Sequence, residues 1–140
     1  MTGQTGNWEK GLTQAKAENW EAALEYFQQA LGEQEDFVVY HNCGVALFSL
    51  GRFQEALEYY DKAVLAFPDY YKAHNHRGMA LEQLGRLEEA LEAYQKALEI
   101  SPRYSPAWIN KSNVHAALGQ TSEAARALKQ SFYSDSPNPA

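Results

Sequence analysis

The amino-acid sequence predicts an all-α fold, an α-solenoid of about four stacked helix-turn-helix units. Three observations carry that expectation: a fixed repeat period, helical spacing of apolar residues within each repeat, and chain breakers at matching places. The stretch from Tyr40 to Pro68, YHNCGVALFSLGRFQEALEYYDKAVLAFP, returns from His74 to Pro102 as HNHRGMALEQLGRLEEALEAYQKALEISP. Gly44 and Gly78, Gly51 and Gly85, Ala56 and Ala90, Tyr60 and Tyr94, Ala63 and Ala97, and Pro68 and Pro102 all stand 34 residues apart. A period between about 20 and 50 residues marks repeats that bury their apolar faces only by stacking on a neighbour.

The first unit, about residues 4–36, is the least regular. Trp20, Ala23, Phe27, Ala30 and Leu31 align with Phe53, Ala56, Tyr60, Ala63 and Val64, one residue short of the period. Gly11 aligns with Gly44, and Trp8 falls one place late for the aromatic position of Tyr40. Helices are expected near 4–17 and 20–32, with GEQED, Gly32 to Asp36, as the turn in place of a proline. The second unit, 37–70, places Tyr40, Cys43, Gly44, Leu47 and Phe48 at helical spacing and ends that helix at Gly51, since glycine adopts the left-handed conformation cheaply. Its second helix carries Phe53, Ala56, Leu57, Tyr60, Ala63 and Val64 on one face, acids on the other, and stops before Pro68. The small Gly44 and Ala56 let two helix backbones approach, and Tyr60 fills the space beside them.

The third unit, 71–104, repeats this plan. The fourth, 105–133, puts Trp108 in the aromatic position, Ser112 in the glycine position, Gly119 at the break, and Ala124 and Leu128 in the small and large positions. The four units are expected to form one domain over 1–133, followed by a flexible tail at 134–140, YSDSPNPA from Tyr133 having no helical period.

These residues carry a resemblance to a known family. The pattern aromatic-x-x-L-G-x-x-Y, then A-x-x-x-F, then P, is that of the tetratricopeptide repeat. It reads here as Tyr40-x-x-Cys43-Gly44-x-x-Leu47, Ala56-x-x-x-Tyr60, Pro68, and again as His74-x-x-Arg77-Gly78-x-x-Leu81, Ala90-x-x-x-Tyr94, Pro102. The resemblance implies a right-handed superhelix whose first helices line a concave groove.

Composition narrows the function classes. The chain has 140 residues, 45% apolar and 21% charged, which fits a globular domain. Its net charge of −6 opposes nonspecific binding to nucleic acid, and no basic stripe with interleaved aromatics is present. The charge is uneven: residues 1–36 carry −5, 37–70 carry −2, 71–104 are neutral and 105–140 carry +1. No apolar run is long enough for membrane insertion, and MTGQTGNWEK lacks the regions of a signal peptide. The single cysteine, Cys43, excludes an internal disulfide and suits a reduced, cytoplasmic location. No phosphate-cradling glycine loop, nucleophile elbow or zinc signature occurs, so the chain is not expected to be an enzyme and no cofactor is implied. His74 and His76 are two apart and point to different helix faces, so no metal site is expected from them. Cys43 reads as a small packing residue.

Carried over position by position, the resemblance implies a partner-binding groove formed by Trp8 and Leu12 of the first unit and His41, Asn42 and Val45 of the second. Lys72, Asn75, His76 and Met79 of the third unit and Ile109, Asn110 and Asn113 of the fourth would complete it. Such a mixture suits a peptide, whose amides need hydrogen-bonding partners and whose side chains need apolar contacts; Asn both donates and accepts. The expected function is therefore a non-catalytic protein–protein interaction scaffold holding a peptide segment, extended or helical, of a partner. Chaperone adaptors of this family grip a C-terminal carboxylate with a five-residue clamp. Here Asn42 and Lys72 match it, but Trp8 and Leu12 stand where a Lys and an Asn belong, and His76 replaces the bidentate Arg. The alternative is self-assembly into a homo-oligomer through the last helix, whose Leu128 and Phe132 make it more apolar than a solvent-facing end should be.

Overall fold

The computed structural model describes residues 6–134. Eight helices fill them, and no strand occurs among the described residues. They are α1 (Asn7–Lys16), α2 (Trp20–Glu33), α3 (Phe37–Ser49), α4 (Phe53–Ala66), α5 (Tyr71–Gln83), α6 (Leu87–Ile100), α7 (Ser105–Ala117) and α8 (Thr121–Ser134). The expected start of α1 at residue 4 and the tail at 135–140 lie outside the described residues, whereas Ser134 still belongs to α8. Gly32 remains helical, so only 34–36 leave the helical path before α3, and Asp36 caps α3 by accepting from the Val38 amide at 2.7 Å.

The chain divides into two compact units, Met1–Pro68 and Asp69–Ala140, each built from two helix hairpins. Within the first, α1 packs on α2, α2 on α3 and α3 on α4; within the second, α5 packs on α6, α6 on α7 and α7 on α8.

The hairpins close on a glycine set against an aromatic ring. A Cβ on Gly78 would stand 2.5 Å from Cε1 of Tyr94, and one on Gly11 would stand 2.5 Å from Cδ1 of Phe27; Gly44 meets Tyr60 in the same way. Phe27, Tyr60 and Tyr94 are correspondingly sealed from solvent. The Tyr94 hydroxyl donates to Glu82 at 2.8 Å, and burial together with that carboxylate pushes its pKa up. Cys43 is fully buried, and desolvation pushes its thiol pKa up to about 12, as expected of a packing residue rather than a nucleophile.

The fourth hairpin departs from this plan. Ser112 occupies the glycine position and its hydroxyl donates to the Ala124 carbonyl at 2.8 Å. Leu128, expected to fill the large position, is 44% exposed, so that expectation is corrected: Ala127 and Ser131 supply the buried side chains of α8 instead. A leucine is shorter than the tyrosines it replaces, and Ser112 already engages the backbone of the facing helix.

Each hairpin turns through one residue in the left-handed region. Gly51, Gly85 and Gly119 have φ of 78°, 76° and 76°, and the next residue donates its amide five positions back, from Arg52 to Leu47, Arg86 to Leu81 and Gln120 to His115. That bond is the mark of a Schellman closure. The first hairpin makes the same bond from Asn19 to Gln14, but its left-handed residue is Glu18, with φ of 60°. After α4 and α6 the chain leaves the helix at Phe67 and Ser101, each directly before a proline.

Candidate functional site

The first helix of every hairpin carries the residues assigned to partner binding, and the two compact units hold separate subsets of them. In the first unit Trp8 of α1 is half-buried, its ring 5.5 Å from that of Phe27 and tilted by 43°. Leu12 and Val45 are likewise partly exposed. Asn42 donates to the Val38 carbonyl one turn back at 2.9 Å, which occupies part of its amide. His41 is buried, its ring 5.8 Å from Tyr60.

In the second unit α5 and α7 are neighbours. Lys72, Ile109 and Asn113 are exposed, and Met79, His76 and Asn110 are partly so. Asn75 is only 2% exposed. Its amide donates to Sδ of Met79 at 3.8 Å, and its Oδ1 accepts from the Asn110 amide at 3.1 Å, tying α5 to α7. The carboxamide expected to meet a peptide backbone is thus engaged inside the protein. The His76 Nδ1 lies 2.8 Å from the Lys72 carbonyl; burial lowers the ring's pKa, and the backbone bond opposes that shift only in part. Lys111 donates to Gln95 at 2.8 Å and lies 5.2 Å from the Trp108 ring centre, and desolvation lowers its pKa. Among the described residues no group of three His, Cys, Asp or Glu side chains is placed to hold a metal ion. Nor is any helix there long and apolar enough to cross a membrane.

One further feature lies outside the repeat pattern. In the first unit a cavity of about 490 Å³ is lined by Trp8, Ala30, Glu33, Gln34, Asp36, Val38 and Val39. Its signal in the sequence is the acid-rich turn that replaces the proline of the second and third units.

Two family models described as tetratricopeptide repeat match the sequence, over residues 44–105 and 81–139. The chain belongs to the tetratricopeptide repeat family. No curated protein matches it. Among solved structures it is similar to other tetratricopeptide proteins. MamA from Desulfovibrio magneticus RS-1 superposes with a TM-score of 0.85 at 20% identity, over 92% of this chain and 73% of that one. YrrB, described as a tetratricopeptide protein with an unusual peptide-binding site, gives 0.82 at 24% identity, over 92% and 67%. TTC0263, a thermophilic tetratricopeptide protein of Thermus thermophilus, gives 0.82 at 26% identity, over 92% and 73%. These likenesses establish the all-α tetratricopeptide solenoid fold. Of the five clamp positions, only Asn42 and Lys72 carry the required side-chain type.

Proposed function

We propose that this tetratricopeptide protein is a non-catalytic scaffold that binds a peptide segment of a partner protein against the first helices of its hairpins. The observation that carries the reading is the open set Lys72, Ile109 and Asn113 on α5 and α7, with Met79 and Asn110 partly exposed. It combines a cation, an aliphatic surface and carboxamides, the types a peptide needs for its carbonyls, side chains and amides. The peptide-binding site ascribed to YrrB supports the same reading for a protein of this fold. The lone buried Cys43 is compatible with a reducing, cytoplasmic setting. Because Asn75 is buried and bonded, replacing it would disturb packing; the test uses exposed positions instead. Peptides selected from a display library on the full chain should bind the Lys72→Ala/Ile109→Ser/Asn113→Ala variant about tenfold more weakly, with helicity unchanged. Undiminished binding of every selected peptide contradicts the proposal.

A second reading, self-assembly through α8, is favoured by one observation. Leu128, Phe132 and Tyr133 are 44%, 70% and 61% exposed, whereas Leu98, the counterpart of Phe132 one period earlier, is buried with Ala107 beside Tyr71, Tyr104 and Trp108. Sedimentation of the chain with and without Phe132→Glu decides it. An associating parent and a monomeric variant support assembly, while two monomers remove it.

A further inference from the structure

We propose that the cavity of the first unit receives a basic side chain, Lys or Arg, from a partner peptide. The inference rests on the peptide-binding reading above and adds a chemical preference to it. The cavity, about 490 Å³, lies within the range of roughly 300–1,000 Å³ typical of ligand sites. Its lining comprises an apolar part, Trp8, Ala30, Val38 and Val39, the neutral polar Gln34, and two carboxylates, Glu33 and Asp36, with no basic side chain.

The parts are held in place. The Trp8 ring is backed by Phe27 at 5.5 Å. Asn7 donates to Oε1 of Glu33, and Oδ1 of Asp36 accepts from the Val38 amide. Among the described residues these bonds use one oxygen of each carboxylate, so the second oxygen of each can accept from a guest.

Charge selects the guest. Residues 1–68 contain ten acids and four bases, whereas 69–140 contain eight of each, so the whole net charge of −6 belongs to the unit that holds the cavity. An anionic side chain would enter against that field. A wholly apolar one would strip water from Glu33 and Asp36 without replacing it. Lys and Arg carry an aliphatic stem that matches Val38 and Val39 and a cation that matches the carboxylates. The same cation gains from an indole face within about 6 Å.

The experiment titrates the full ¹⁵N-labelled chain with Nα-acetyl-arginine amide, and with Nα-acetyl-glutamate amide as control. The Trp8 indole N–H and the Val38 and Val39 amides should shift saturably with the arginine probe and stay still with the glutamate probe. The Glu33→Gln/Asp36→Asn variant should weaken the arginine probe about tenfold. Both replacements keep an oxygen acceptor, so the bond from Asn7 and the cap of α3 survive. Unmoved resonances, equal shifts from both probes, or an unaffected variant overturn the proposal. Library peptides that carry a basic residue and bind this variant as tightly as the parent chain would also sink it, while leaving the peptide-binding reading standing. If the arginine probe saturates the cavity but the library yields no binder, the cavity site stands and the wider reading falls.

Discussion

At the scale of single residues, the fold rests on pairs that leave no room for an extra atom. Gly78 and Tyr94 show it best. The ring is sealed, its hydroxyl is tethered to Glu82, and a Cβ at position 78 would stand 2.5 Å from Cε1. A tethered ring cannot swing away, so the helices must separate. Gly78→Ala is therefore expected to destabilise the protein by about 1–3 kcal/mol, the usual cost of overpacking a dense core. Urea denaturation checks it, and an unchanged midpoint contradicts the account. His76 gives a pH dependence. Burial holds its folded pKa below the ordinary value of about 6.5, so the unfolded chain takes up a proton first as the medium acidifies. Its contribution to stability is complete above pH of about 6.5 and is lost as pH falls toward its folded pKa. His76→Gln should flatten that part of the stability curve, measured as urea midpoints between about pH 7 and 5.

At the scale of elements, the glycine–aromatic pairs explain why so much of the architecture was legible. Gly44 with Tyr60 and Gly78 with Tyr94 join two helices in one sterically demanding contact, so their 34-residue recurrence gives the pairing as well as the helices. What escaped was depth. Helical spacing puts Asn75 and Asn113 on first-helix faces alike, yet Asn75 is buried and Asn113 is open. Asn75 stands one period after His41, which is also buried, and the amide of Asn110, 35 residues along the chain, closes on it. The expected helices at 4–17 and 20–32 leave 18–19 as the turn, but the left-handed backbone of Glu18 was equally hidden, because a glutamate gives no sign of positive φ. That position supplies a prediction. A left-handed non-glycine residue costs roughly 1–2 kcal/mol, partly offset by the greater freedom glycine loses on folding. Glu18→Gly, which makes the first turn like those at Gly51, Gly85 and Gly119, should raise stability by up to about 1 kcal/mol. Thermal melting of the two chains decides it, and a lower melting temperature for the variant counts against the strain.

At the scale of the whole molecule, stability should be graded along the chain. In a repeat protein each hairpin draws stability from its own packing and from the neighbours it touches. The helices differ in what they contribute. α6 buries Ala90, Ala93, Tyr94, Ala97 and Leu98, whereas among the described residues α8 buries only Ala127 and Ser131, with Phe132 and Tyr133 facing solvent. Local opening requires less free energy where fewer apolar contacts are broken. Amides of α8 are therefore expected to exchange with solvent deuterons at least about tenfold faster than those of α6, through an opening that leaves α5 and α6 intact. Equal protection in α6 and α8 would show a single cooperative unit and contradict the gradient. The same measurement bears on self-assembly. If a second copy covers Phe132, protection of α8 must rise with protein concentration, because association stabilises only the closed form. Phe132→Glu should abolish that rise while leaving α6 protected as before.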